Sequence, residues 1–158
     1  MGYSVLSTSL IQINDKGAVL GMFEYGSKHP LKDKWLTEGH FYFFYNGKLN
    51  LIGKHENIKC LKLNNFGEVL VTKGDQADET FLWSTEKGFE DMTEKYYGMS
   101  FNDKRQILGR DFNYILSLIK KNDNGLIDYV VLPKIFTSEG DINNNGTIIF
   151  NHQFYGET

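Results

Sequence analysis

The sequence is short of the residues that would assign it at once to a specialised class. Its one cysteine, Cys60, cannot form an intramolecular disulfide, and its alternation with Ile58 and Lys62 is typical of a strand. No stretch approaches the roughly 20 consecutive apolar residues of a membrane helix. A net charge of -3 with scattered basic residues leaves no cluster of Lys and Arg to neutralise phosphates. We therefore expect neither a membrane nor a nucleic acid as partner.

The N-terminal residues carry no recognisable targeting signal. Residues 1–7 lack the charged start and the long apolar core of a signal peptide. Leu6 stands where a myristoylation motif has Ser or Thr. If the natural protein is exported, we expect its signal to have been removed from this chain.

What the sequence has in quantity is one turn motif, which occurs four times. Each copy has a large apolar residue, an Asn, a further Asn or Asp, a Gly (once Arg), and then a pair of mostly β-branched or aliphatic residues. The copies span residues 13–20, 63–70, 101–108 and 142–149. Such internal repetition indicates an array of similar structural units.

The composition of this motif predicts a tight hairpin turn. Asn and Asp side chains hydrogen-bond to the backbone around them, and Gly accepts the positive φ that closes a short loop. We therefore predict that the four turns share one backbone conformation. In the third copy, Arg105 then takes the positive-φ position that Gly17, Gly67 and Gly146 occupy elsewhere.

Turn signals and alternating apolar residues between the motifs divide the chain into hairpins. The sequence predicts a single repeat domain over residues 1–158, with units at about 4–57, 58–95, 96–136 and 137–158. Seven hairpins, and therefore about fourteen strands, follow from the turns. In this interpretation residues 111–121 form a strand rather than a helix, and residues 26–39 form an insertion loop.

Four-strand units of this length predict an all-β fold, a propeller-like array of antiparallel four-strand blades. Three full units and one half unit make up the array, and a β-sandwich or an irregular barrel of the same hairpins is the alternative. Three and a half blades leave unpaired strand edges at both ends. We expect a homodimer to close these edges, or a single chain to close them by pairing residues 4–13 with residues 147–154.

The aromatic strand of the second unit should pack against a neighbouring sheet. Phe81 and Trp83 lie two residues apart, so they share one face of the strand. If a neighbouring sheet covers that face, the two side chains cannot both be exposed to solvent. We therefore predict that Trp83 is buried.

The first two units resemble the bacterial repeat family named for its His-Ala-Phe motif. In the first unit the resemblance rests on Ile13, Asn14, Gly17, Val19, Leu20, Gly21, His40, Tyr42, Phe43, Phe44, Gly47 and Leu51. In the second unit it rests on Thr80, Phe81, Leu82, Trp83, Gly88, Asp91 and Met92. Arg105 in place of Gly and Glu79 in place of His depart from the pattern. The resemblance implies a propeller-like, extracellular or secreted bacterial protein, and it implies no catalytic residues.

Familiar metal and catalytic motifs are missing. Residues 141–146 begin like a calcium loop, but the twelfth position is His152 instead of a bidentate carboxylate, and residues 122–125 fail in the same way. No pair at zinc-ligand spacing is formed by the four histidines, His29, His40, His55 and His152. Nucleophile elbows, phosphate-binding glycine loops and dinucleotide fingerprints are also missing. We expect no metal, no cofactor and no catalytic residue.

The pattern therefore favours a noncatalytic β-repeat interaction module that binds a protein or glycan partner through loops between its strands. Aromatic residues flank the insertion loop, where an anchor for a partner would suit. The candidate binding residues are Tyr25, His29, Trp35 and His40. The alternative is a hydrolase or lyase built from loops on a propeller scaffold, with His29, His40 and either Asp33 or Glu38 as its reactive groups.

Overall fold

The structure, a computed structural model, describes residues 4–28, 35–73, 79–93, 96–111, 113, 115–122, 125, 127–132 and 140–150. Within these ranges the chain is all-β, with fourteen strands and no helix. The strands are β1 (Ser4–Ile13), β2 (Val19–Lys28), β3 (Trp35–Tyr45), β4 (Lys48–Lys54), β5 (Ile58–Leu63), β6 (Val69–Lys73), β7 (Glu79–Ser84), β8 (Gly88–Thr93), β9 (Tyr97–Phe101), β10 (Ile107–Arg110), β11 (Leu116–Lys121), β12 (Ile127–Val131), β13 (Gly140–Ile142) and β14 (Ile148–Phe150).

These strands form four antiparallel sheets in which neighbouring strands follow one another along the chain. The first sheet is β1–β4, the second β5–β8, the third β9–β12, and the fourth contains only β13 and β14. The strand count agrees with the fourteen strands expected from the turn signals. The strand β11 confirms that the middle of the third unit is extended rather than helical.

The interpretation of residues 26–39 as an insertion loop is wrong for residues 26–28 and 35–39, whereas residues 29–34 lie outside the described residues. Strands β2 and β3 continue into this segment, where Gly26 pairs with Thr37 and Lys28 pairs with Trp35. A hairpin ladder is held by main-chain hydrogen bonds, so two strands already in register can extend without an alternating apolar pattern. The hairpin formed by β2 and β3 is therefore longer than the corresponding hairpins of the other sheets.

The four repeated turns share a backbone conformation, as predicted. Gly17, Gly67 and Gly146 have φ angles of 76°, 78° and 87°, and Arg105 has a φ of 58° at the same position. In each turn, Oδ1 of the first Asn accepts hydrogen bonds from the amides two and four residues later; these residues are Asn14, Asn64, Asn102 and Asn143. The local hydrogen bonding of asparagine thus shapes every turn.

Neighbouring turns also hydrogen-bond to one another, forming what we call the turn ladder. The Asp15 amide donates to Asn65 Oδ1 at 3.0 Å, and the Asn65 amide donates to Asp103 Oδ1 at 2.9 Å. The Asp103 amide then donates to Asn144 Oδ1 at 2.9 Å. Each bond crosses from one sheet to the next, so the ladder fixes the positions of consecutive sheets at their turn ends.

The core lies between the faces of consecutive sheets. Between the first and second sheets it contains Ala18, Leu20, Phe41, Phe43, Ile52, Ile58, Cys60, Leu63, Val69, Val71 and Trp83. Between the second and third it contains Leu70, Leu82, Met92, Phe101, Ile107 and Ile119. Trp83 is buried, as predicted, with its ring centroid 5.7 Å from that of Phe43.

The two ends of the array do not meet through strand pairing in the part of the chain that the structure describes. There β1 pairs with β2 alone, and β14 pairs with β13 alone. Contacts between sheets join consecutive sheets instead, for example β1 with β5, β5 with β9 and β9 with β13. The expected closure of one chain by pairing residues 4–13 with residues 147–154 is therefore not seen within the described residues.

Candidate functional site

The predicted binding residues that the structure describes lie on two adjacent strands. Tyr25 is on β2 and His40 on β3, whereas Trp35 is the first residue of β3. His29 lies outside the described residues. A strand pair of the first sheet therefore carries these residues, whereas Trp35 was expected inside an insertion loop and Tyr25 and His40 at its ends.

Tyr25 and His40 form a polar cluster with Glu38 and Lys54, which were not predicted as binding residues. The Tyr25 hydroxyl donates to Glu38 Oε2 at 2.9 Å and lies 3.3 Å from His40 Nε2. Lys54 Nζ, on β4, donates to the same Glu38 oxygen at 2.8 Å. Cross-strand register brings these groups together, since Tyr25 pairs with Glu38 and His40 pairs with Lys54.

In this cluster the positive charge of Lys54 lies against the negative charge of Glu38. The hydrogen bond from Lys54 and the one from Tyr25 hold the pKa of the Glu38 carboxyl below its ordinary value. The same contact with Glu38 raises the pKa of Lys54. Glu38 is therefore an ionised hydrogen-bond acceptor at neutral pH, which suits binding and orientation of polar groups better than donation of a proton.

Aromatic rings continue the cluster along the same face of the first sheet. The His40 ring stacks on Tyr25, with centroids 5.5 Å apart, and on Phe23, with centroids 5.9 Å apart. The centroid of the Phe23 ring also lies 6.1 Å from that of the Tyr42 ring. These four half-buried residues, Phe23, Tyr25, His40 and Tyr42, form what we call the aromatic strip.

A separate cleft of about 550 Å³ opens beside the turn ladder. Phe43, Tyr45 and Phe66 provide aromatic surface in it, and Lys16 Nζ lies 5.2 Å from the centroid of the Phe66 ring. Charges of both signs surround these rings: Lys16, Glu68, Glu86, Lys87, Asp103 and Arg105. Sequence reasoning missed this cleft because distant turns build it; an exposed Phe66 inside a polar turn was the available signal.

A third polar cluster joins the second, third and fourth sheets. Lys62 Nζ donates to Ser100 Oγ at 2.8 Å, and both groups hydrogen-bond to Asp141 Oδ1. Burial alone would raise the pKa of Asp141, but the bonds from Lys62 and Ser100 outweigh burial and lower it. A lysine beside a serine can activate a nucleophile, yet Ser100 is buried and its hydroxyl proton is directed to Asp141. The arrangement therefore acts as a link between sheets.

Neither a metal centre nor a membrane span is found among the described residues. No group of three or more His, Cys, Asp and Glu side chains there is placed to hold a metal ion. No helix there has the length and apolarity needed to cross a bilayer.

No family model matches the sequence, and no curated protein matches it.

Proposed function

We propose that this protein is a noncatalytic β-repeat interaction module that binds a protein or glycan partner with the aromatic strip. The observation that carries the proposal is the convergence of Tyr25 and His40, with Glu38, on one open sheet face. Half-buried rings supply flat apolar surface, and their polar edges supply hydrogen bonds, a combination enriched where proteins bind partners.

The strip is also held rigidly, which favours binding without a large loss of conformational freedom. Its residues lie on strands rather than on a loop. Glu38 fixes the Tyr25 hydroxyl from one side, and Lys54 fixes Glu38 from the other. A side chain ordered before binding loses less entropy when the partner arrives.

The scaffold we propose is a propeller-like array of the His-Ala-Phe repeat type. Support comes from four-stranded meander sheets that follow one another in chain order. It also comes from the contacts between the first strands of consecutive sheets, β1, β5, β9 and β13, because first strands lie closest to the axis of a propeller.

A glycan array and a peptide-display library, both probed with purified protein, test the binding proposal. We expect a defined ligand class to bind the wild type and to lose at least roughly tenfold in affinity with Tyr25→Ala or with His40→Ala. Tyr129→Ala is the matched control, because Tyr129 is an exposed aromatic residue on β12, outside the strip. Equal binding by the strip variants and the control would contradict the proposal.

A loop-built hydrolase or lyase is the second candidate, because a carboxylate, an imidazole and a phenol meet in the strip. His40 Nε2 lies 3.7 Å from Glu38 Oε2, which is beyond direct hydrogen-bond reach, but the Tyr25 hydroxyl lies between them, 2.9 Å from the carboxylate oxygen and 3.3 Å from the imidazole nitrogen. Asp33 and His29, its other candidate groups, lie outside the described residues. Turnover in a broad substrate screen that His40→Ala abolishes and Tyr129→Ala retains would favour this candidate over the binding module.

A further inference from the structure

Two apolar positions that recur in the four repeats differ in exposure at the ends of the array. The apolar residue that precedes the turn asparagine is Ile13, Leu63, Phe101 and Ile142 in the four sheets. Ile13 is 54% exposed, whereas Leu63, Phe101 and Ile142 are at most 2% exposed. The last three are covered by the preceding sheet, whereas among the described residues no sheet covers Ile13.

The opposite face of the sheets shows the same pattern at the other end. The equivalent residues after the turn are Leu20, Leu70, Leu108 and Ile149. The first three are 0% exposed because the following sheet covers them, whereas Ile149 is 71% exposed. The fourth sheet therefore exposes, at Ile149, the apolar position that packs onto a following sheet elsewhere in the chain.

Further exposed apolar residues surround Ile13 on the face that we call the leading patch. Cross-strand register aligns them in two rows next to the turn end of the first sheet: Leu10, Ile13, Phe44, Leu49 and Leu51. All five are exposed. Trp83 occupies in the second sheet the position that Phe44 occupies in the first sheet, and Trp83 is buried under the first sheet. The leading patch is thus apolar in the manner of an interior face.

The turn ladder is also unfinished at both ends in a complementary way. Two of the three steps between turns use an asparagine side chain: Asn14 Nδ2 donates to Asn64 O at 2.8 Å, and Asn102 Nδ2 donates to Asn143 O at 3.0 Å. In the second turn, Asn64 Nδ2 donates instead to Glu68 Oε2 at 2.9 Å. Among the described residues, Asn143 Nδ2 in the last turn has no such acceptor. In the first turn, Asn14 O receives no donor from a preceding turn within the described residues. One end thus offers the donor and the other end the acceptor of one more step.

We propose that a second copy of this chain covers the leading patch with the Ile149 face of its fourth sheet. The contact repeats head to tail the packing that already joins the sheets of one chain, and it continues the turn ladder between chains. Two copies related by a twofold axis satisfy both faces at once, which is a closed arrangement. A second copy is the occupant because the sheets of this chain already make the same packing with one another three times.

The proposed contact overlaps the aromatic strip only at Tyr42, which pairs with Leu51 in the leading patch. The fourth sheet has two strands of three residues each, so it can cover only the turn end of the first sheet. The cross-strand pair Tyr25 and Glu38 lies several residues away along the same strands. A copy on the leading patch therefore leaves the Tyr25 end of the aromatic strip accessible.

Light scattering on the purified full chain, over a dilution series from about 100 µM downward, tests the proposal. We expect the wild type to have twice the 18.2 kDa mass of one chain at high concentration. Ile13→Asp and Ile149→Asp each place a charge in the contact, so each variant alone should raise the dissociation constant roughly tenfold or more. Val131→Asp, at an exposed valine on β12, is the matched control and should associate like the wild type.

A pair of opposite charges distinguishes head-to-tail contact from other contacts. A chain with both Ile13→Asp and Ile149→Lys places opposite charges across both contacts of the closed pair, so it should recover at least part of the two-chain mass that Ile13→Asp alone loses. Recovery also shows that the chain with both substitutions is folded. A wild-type mass of one chain at every concentration would overturn the proposal. So would an Ile149→Asp variant that still forms the wild-type dimer, because the leading patch would then pair with itself.

Discussion

Backbone strain and side-chain contacts act in opposite directions at Arg105, so its replacement by glycine is an informative perturbation. At a φ of 58°, a residue with a Cβ atom is strained by about 1 to 2 kcal/mol. Glycine removes that strain but loosens the unfolded chain by about 0.5 to 1 kcal/mol. From the sequence alone, Arg105→Gly should therefore be nearly neutral or slightly stabilising.

The side chain of Arg105 reverses this expectation. Its Nη2 donates to Glu90 Oε2 at 2.5 Å, and its Nε lies 3.1 Å from Glu68 Oε1. All three side chains are at most one-third exposed, so these ion pairs are screened less than surface pairs. Together they contribute about 2 to 3 kcal/mol, after allowance for the part still in solvent. The net expectation is a loss of about 0.5 to 3 kcal/mol in the free energy of unfolding.

Urea unfolding of the wild type and of Arg105→Gly measures this difference. The difference in unfolding free energy between the two proteins should shrink in about 1 M salt, where the screening length falls to about 3 Å. It should also shrink in acid: burial raises the pKa of Glu90, but the bonds from Arg105 and Lys121 outweigh burial and lower it. A carboxyl with a depressed folded-state pKa stabilises the fold above its unfolded pKa and loses that effect as pH falls through the folded value. An Arg105→Gly variant that is neutral or more stable at neutral pH and low salt would refute the reasoning.

Three further predictions concern the core and the turns. Gly67→Val should lower the free energy of unfolding by at least about 1 to 2 kcal/mol, because Gly67 has a φ of 78° and faces Phe43; a neutral urea titration would contradict the shared turn conformation. Trp83→Ala should lower it by about 3 to 5 kcal/mol, and in a Trp35→Phe background the Trp83 fluorescence should resist acrylamide; strong quenching would contradict its burial. Burial raises the pKa of the Cys60 thiol, so a thiolate-specific reagent should label Cys60 only in urea; rapid labelling of the native chain would contradict this.

Local features of the fold could be predicted from the sequence because local chemistry determines them. The turn asparagines, such as Asn14 and Asn102, bind amides within four residues, so their pattern in the sequence already contains the turn. The positive φ of Arg105 followed from its alignment with glycines and is confirmed. Strand positions followed for the same reason, since alternation and turn signals both act over a few residues.

Features that join distant residues could not be predicted. Asn65 binds Asp15 and Asp103, and nothing in the turn motif says which turns become neighbours. The binding residues were predicted in and around an insertion loop, whereas cross-strand register places Tyr25 beside Glu38. Register of this kind depends on long-range pairing, which an apolar pattern does not encode where the strands leave the core.

The turn ladder also has a consequence for how such a protein can evolve. Each rung uses the same kind of donor and acceptor, as the successive bonds from Asp15, Asn65 and Asp103 show. A gene segment that encodes one unit could therefore be duplicated or deleted, and the new neighbours would find the partners that the old ones had. In arrays with nearest-neighbour contacts, stability changes by roughly one unit and one contact at a time. Chain length can then vary among descendants while the shape of each unit is preserved.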